Sequence, residues 1–286
     1  MTEQATRDVP ARRLRAPALR GLGLAALFAV ASAAIAEEAH VVAPGSLVRW
    51  SGSGITECEQ AGETFPPRGD ACWIAVDLEA TGSISVARTT AAGRESRHLT
   101  VGKYPFPTES LTGVDDKYVS PGKSALDRIA RERRESGHAF ARRTPYLDGP
   151  PFSPPLVEMP QGGRFGARRI FNGEPRSPHG GTDYRAAAGT PVFAPADGVV
   201  ALSADHYFAG QSVYLDHGDG LISMAFHLSR RLVADGDRVK RGQKIGEVGA
   251  TGRVTGPHLH FAVRWRGARI DPTLLFEVPS KLATIP

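Results

Sequence analysis

Apolar and polar residues alternate with a period of two through the second half of the chain. Strand-like runs recur at 191–194, 198–203, 211–217, 221–228, 238–248 and 258–265, and the pairs Asp197-Gly198, Asp219-Gly220 and Asp235-Gly236, suited to tight turns, separate several of them. In the last run Leu259, Phe261, Val263 and Trp265 take one face, so His258 and His260 share the other. In 221–227 the same rule groups Ile222, Met224 and Phe226, and puts His227 with the small residues Ser223 and Ala225 on the opposite face, where a substrate would have room. Shorter runs at 47–50, 71–78 and 82–87 predict a small β-rich domain within 37–144. A helix is predicted near 124–138, with Ser124 and Asp127 spaced as a capping box, Leu126, Ile129 and Ala130 as its apolar stripe, and 131–135 as its solvated face. Residues 145–160, with Pro150-Pro151 and Pro154-Pro155, interrupt regular structure and read as a Pro-rich linker before a second domain, 161–286. The predicted fold is mainly β, with an antiparallel sheet that leaves one face open as a groove.

The first 36 residues change the picture of the compartment. Arg12, Arg13, Arg15 and Arg20 lead into an almost wholly apolar stretch, 21–36, that closes on Ala34-Ile35-Ala36, the pattern of a signal peptide cut after Ala36. A retained anchor is the alternative. Cys58 and Cys72 are the two cysteines of the chain, and export predicts that they form one disulfide. The formal charge of +5 divides unevenly: 1–36 carries five Arg against Glu3 and Asp8, 37–159 has 14 basic and 17 acidic residues, and 160–286 has 16 and 11. A basic second domain can concentrate an anionic polymer; export argues against nucleic acid, and no stable membrane insertion is expected once the leader is removed.

The candidate chemistry lies in His179-Gly180-Gly181-Thr182-Asp183, the His258-x-His260 pair and His227. The two glycines disfavour a helix through His179 and Asp183 and favour a turn entering a strand. Imidazoles and one carboxylate can hold a divalent metal with a coordination position left open, which is hydrolase chemistry. Any three of these side chains would satisfy the count, so the residues alone do not divide ligands from bases. No His-Glu-x-x-His helix supplies a glutamate base, and histidine is the side chain whose ordinary pKa suits proton transfer near neutrality. The glycine-rich 246–256 stretch lacks the Gly-Lys-Ser/Thr of a phosphate loop and reads as turns. His40, His98, His138 and His206 need no site to explain them, and His217, at the turn 216–220, reads as structural support.

His179-x-x-x-Asp183 and His258-x-His260, with Gly189-Thr190-Pro191-Val192, Ala196-Asp197-Gly198-Val199-Val200, Gly236-Asp237-Arg238-Val239 and the run 252–261 between and around them, resemble the lysostaphin/LytM-type peptidases of family M23 over about 160–276. The resemblance implies a LytM-type β domain with one zinc per chain on His179, Asp183 and His260, and His227 and His258 flanking the attacking water as general base and transition-state stabiliser. It further implies a zinc endopeptidase that cuts peptide cross-links between peptidoglycan stems in the Gram-negative periplasm. More weakly, 37–144 resembles the β-rich domains that precede some M23 peptidases, with a role in positioning, occlusion or spacing and an unidentified regulatory protein among the partners to be considered. Two other classes compete: a non-enzymatic LytM-type module that binds wall or activates another hydrolase, and a two-histidine, one-carboxylate iron site.

Overall fold

The computed structural model describes residues 40–278 and 281–285; the expected leader, 1–36, lies outside them. Along the first part run β1 (His40–Val42), β2 (Leu47–Ser51), β3 (Ile55–Gln60), β4 (Glu63–Phe65), β5 (Ala71–Ala75), β6 (Gly82–Thr90), β7 (Gly93–Val101) and β8 (Thr108–Leu111), then helices α1 (Asp116–Val119) and α2 (Lys123–Phe140). The second part holds β9 (Arg168–Phe171), β10 (Glu174–Arg176), β11 (Thr182–Arg185), β12 (Pro191–Phe193), β13 (Gly198–His206), β14 (Gly210–Asp216) and β15 (Leu221–Arg231). It continues with β16 (Arg238–Val239), β17 (Lys244–Val248), β18 (His258–Trp265), β19 (Ala268–Ile270), a 3-10 turn at Pro272–Leu275 and β20 (Ala283–Ile285).

The central sheet runs β11-β18-β15-β14-β13-β16, with β19 on β18 and β17 joining β15 to β12, every pairing antiparallel. Alternation in β18 buries Leu259, Phe261, Val263 and Trp265 in the main core beneath this sheet, as the sequence predicts. Each such side chain contributes about 1.5–3 kcal/mol on burial. The upper face carries Tyr214, Ile222, Met224 and Ala262, against which Phe140 at the end of α2 and Phe226 pack. The helix therefore covers part of this face, and the groove occupies the rest.

In the leading part, β1-β7-β6-β3-β4 form one sheet and β20-β2-β5 another, around a core that includes Trp50, Ile74, Val86 and Leu99. The Cys58–Cys72 disulfide ties β3 of the first sheet to β5 of the second. The last strand of the described residues, β20, pairs in parallel with β2, Val48 opposite Ala283.

Three expectations change. The helix begins at Lys123 with Gly122 as its cap, and the Ser124–Asp127 pairing makes no cap bond. Its buried side is Ile129, Glu132 and Ala139, with Leu126 exposed; Glu132, placed on the solvated face by the sequence, accepts from Arg128 Nε at 2.5 Å and the Tyr207 amide at 2.8 Å. The 145–160 stretch has no regular element, as predicted, but it is packed: Phe152 and Leu156 enter the main core, and the Phe152 amide donates to the Leu275 carbonyl at 2.7 Å. Beside it, buried Asp219 accepts from Arg68 Nε (3.2 Å), Arg266 (2.7 Å) and Trp265 Nε1 (3.2 Å), while Arg68 lies 3.8 Å over the Tyr146 ring, so leading part, proline stretch and central sheet share one polar knot.

Candidate metal and active site

Asp183 stands on β11 directly opposite His260 on β18, which puts the two on one face at short range. His179 enters from the irregular segment before β11, where Gly181 allows the close approach: a Cβ there would lie 2.7 Å from His260 Nε2. Three donor atoms meet: His179 Nε2 is 3.0 Å from Asp183 Oδ1 and 2.9 Å from His260 Nδ1, and His260 Nδ1 is 2.8 Å from Asp183 Oδ1. Among the described residues these three form the one histidine, cysteine or carboxylate group placed to share a metal.

The donor chemistry fits a divalent ion. His179 Nδ1–H donates to the Arg164 carbonyl at 2.9 Å, so Nε2 carries the lone pair of the neutral ring. That lone pair faces a carboxylate oxygen and a second imidazole nitrogen, an arrangement that a cation at their centre would satisfy. Edges near 3 Å are slightly tighter than the roughly 3.3 Å between ligands of a tetrahedral zinc at about 2 Å. Burial lowers the His179 pKa and brings that of His260 to about 4, which keeps both rings neutral and ready to ligate. Burial would raise the Asp183 carboxyl, but its close contacts with His179 and His260 outweigh it and hold the group well below the usual carboxylate range.

His227 and His258 stand beside this triangle, their rings 4.9 Å apart, with His258 Nε2 3.8 Å from Asp183 Oδ1. His227 Nδ1–H donates to the Thr251 carbonyl and His258 Nδ1–H to the Gly256 carbonyl, each at 2.9 Å, leaving both Nε2 atoms as acceptors. Burial, with the neighbouring His260 and His258, pushes the His227 pKa well down. His227 points to the face opposite the one that simple alternation predicts. Phe226 pairs directly with His260 and stacks on it with ring centroids 5.3 Å apart, so the Ile222-Met224-Phe226 face is the site's own face, whereas Ala225 belongs to the core below. His227 reaches the site because β15 carries one extra residue between its pairings with Val213 and Gln211, and because His227 takes a left-handed φ of 63°. Such a backbone costs a non-glycine residue about 1–3 kcal/mol and persists where the surroundings fix it.

The site opens into a groove of about 590 Å³ whose lining includes Glu109, Leu111 and Val114 and the turn residues 253–257.

The model of peptidase family M23 matches residues 177–272. A crystal structure from Pseudomonas aeruginosa, named as a candidate peptidase M23, aligns with a TM-score of 0.64 at 31% identity over 82% of this chain and 94% of its own. The chain belongs to peptidase family M23. Two Vibrio cholerae relatives are similar over the same region: peptidoglycan DD-endopeptidase ShyC, 51% identical over 94 residues (33% of this chain, 22% of ShyC), and peptidoglycan DD-endopeptidase ShyA, 44% over 108 residues (37% and 25%). The chain thus matches about a quarter or less of the length of these relatives.

All five residues singled out from the sequence converge on this M23 site, and the supporting histidine, His217, does not. Fully buried below the sheet, its Nδ1–H donates to the Asp197 carbonyl and its Nε2 meets Ser223 Oγ, both at 2.8 Å. Sequence reasoning missed Arg169. From β9 its Nη2 donates to Asp183 Oδ2 at 2.9 Å, leaving Oδ1 for the metal position. Nothing in the spacing of so arginine-rich a chain sets this residue apart.

Proposed function

We propose that this chain is a zinc-dependent endopeptidase that hydrolyses peptide cross-links of bacterial peptidoglycan after export to the periplasm. The observation that carries the proposal is the triangle of His179, Asp183 and His260 beside two histidines whose free Nε2 atoms face the same space. The names of the V. cholerae relatives supply the substrate class, and the predicted leader supplies the compartment. Zinc held by the three residues would polarise the scissile carbonyl and acidify an attacking water.

The chain's own groups do the rest. A free Nε2 lone pair of His227 or His258 takes the proton of the attacking water and returns it to the leaving amine, and the two rings stand side by side to divide this work. Fixed carbonyl partners at both Nδ1 atoms hold the tautomer, so neither ring has to reorganise during transfer. Arg169 keeps the Asp183 carboxylate oriented. The groove receives an extended peptide along the open part of the sheet face.

Digesting purified sacculi with zinc-loaded protein and identifying the products by mass spectrometry tests the reading. Stem peptides released from cross-linked dimers are expected; sacculi bound but left intact would favour a non-catalytic wall-binding module. The intact mass of protein recovered from the native compartment should begin at Glu37, and a retained 21–36 segment would contradict the cleaved leader.

A further inference from the structure

Arg253, on the turn before β18, is built into the groove wall in an unusual way. Its guanidinium carbon lies 4.5 Å from the Phe208 ring centroid and 4.9 Å from that of Phe171, so aromatic rings from two separate elements hold it. The backbone is fixed as well. The Arg253 amide donates to the Phe208 carbonyl at 2.9 Å, and the preceding Gly252, at φ 75°, packs so tightly on the β13–β14 hairpin that a Cβ would lie 2.5 Å from the Gly210 amide nitrogen. Contact with ring faces uses the guanidinium's flat sides and leaves its in-plane N–H donors for another partner.

No carboxylate or carbonyl of the described residues meets those donors. The neighbouring arginines differ in this respect: Arg169 is paired with Asp183, and Arg176 donates to the Val119 carbonyl, each at 2.9 Å. Burial, then Arg169 and Arg176, bring the Arg253 pKa down to about 10, the mark of a cation held among other cations without a counter-charge. Packing alone accounts poorly for this, since the same rings would bury an apolar side chain without the cost of desolvating a charge. A planar donor fork held rigid beside a peptide groove matches a carboxylate.

We propose that Arg253 is the groove's carboxylate-binding residue and makes the site selective for peptides that bear a free carboxylate flanking the scissile amide. The proposal rests on the peptidase reading and narrows its substrate class. Arg253 touches substrate away from the reacting atoms and sets specificity.

The test uses two synthetic peptides with the same scissile amide, one with the flanking carboxylate free and one with it as carboxamide. Each is assayed for cleavage and for binding with zinc-loaded wild type, Arg253→Gln and Arg253→Lys, with zinc content measured on every preparation. Wild type is expected to favour the carboxylate peptide in kcat/KM by about 10- to 100-fold, the range of one hydrogen-bonded charge pair. The preference should fall to near one in Arg253→Gln and to an intermediate value in Arg253→Lys, which keeps the charge and loses the fork. Equal cleavage of the two peptides by wild type, or a preference unchanged in Arg253→Gln while both rates drop, would overturn the proposal and leave the peptidase reading standing. Tighter binding of the carboxylate peptide, lost in Arg253→Gln, with neither peptide cleaved by wild type, would sustain the carboxylate site and sink the peptidase reading. Should Arg253→Gln lose zinc or fail to fold, Arg253→Lys decides: a wild-type preference there would count against the fork.

Discussion

At the residue scale the five site residues divide by what they hold. His179, Asp183 and His260 present donor atoms within 3.0 Å of one another, so alanine at any of them should lower bound zinc. His227 and His258 lie outside that triangle. His227→Ala and His258→Ala should therefore keep about one zinc per chain while cleavage falls by about two to four orders of magnitude, the usual worth of general acid–base catalysis. Zinc and turnover must come from the same preparations, and near-wild-type turnover in both zinc-loaded variants would remove the proton-transfer roles. Arg169 acts one step further out, through Asp183 Oδ2. Arg169→Met should weaken zinc affinity by about 10- to 100-fold in a competition titration with a chelator, the range for outer-sphere partners, and Arg169→Lys should recover part of it; unchanged affinity in the Met variant would show that the ion pair does not position the ligand.

At the scale of elements, the Cys58–Cys72 bridge closes a 14-residue separation between β3 and β5 and so joins the two leading sheets. Chain-entropy arguments give such a loop about 3 kcal/mol. A Cys58→Ala, Cys72→Ala double variant should lose that much stability in urea unfolding, and a loss below about 0.5 kcal/mol would mean that sheet packing alone fixes the leading part. Elements also show what the sequence could tell. The positions of His258 and His260 were legible because β18 keeps strict alternation over eight residues, with one side buried throughout. The direction of His227 was not, because one extra residue in β15 and a left-handed backbone reverse the alternation at the position that matters. The start of α2 was missed because a glycine cap carries no side-chain signature, and Glu132 was misplaced because its partners, Arg128 and the Tyr207 amide, include one that lies 75 residues away. Arg169 and Arg253 were invisible for a related reason: their partners come from other strands and turns, so no local pattern marks them.

Over the whole molecule, residues 38–286 form one unit by their contacts, and the proline-rich stretch serves as a seam inside it. His217 sits at that seam, its carbonyl accepting the Leu147 amide at 2.9 Å and its ring fully buried with a pKa brought down to about 4. The unfolded chain would bind this proton near pH 6.5 and the folded one only near 4, so stability is fully present above about 6.5 and declines as pH falls toward 4. The expected slope is about 1.4 kcal/mol per pH unit, about 3 kcal/mol in all. Urea unfolding from pH 7.5 to 4.5 should show that slope shallower by one proton in His217→Gln, and an identical slope in the two proteins would contradict a neutral buried ring. Whether the convergent histidines and Asp183 make a catalytic zinc centre is decided by stripping the protein of metal and returning zinc in fractions of an equivalent while cross-link cleavage in sacculi is followed. Cleavage should be absent from the stripped protein and rise in proportion to zinc, levelling off at about one ion per chain; cleavage that survives complete removal of metal, or a fully loaded protein that binds wall and releases no peptide, would contradict it.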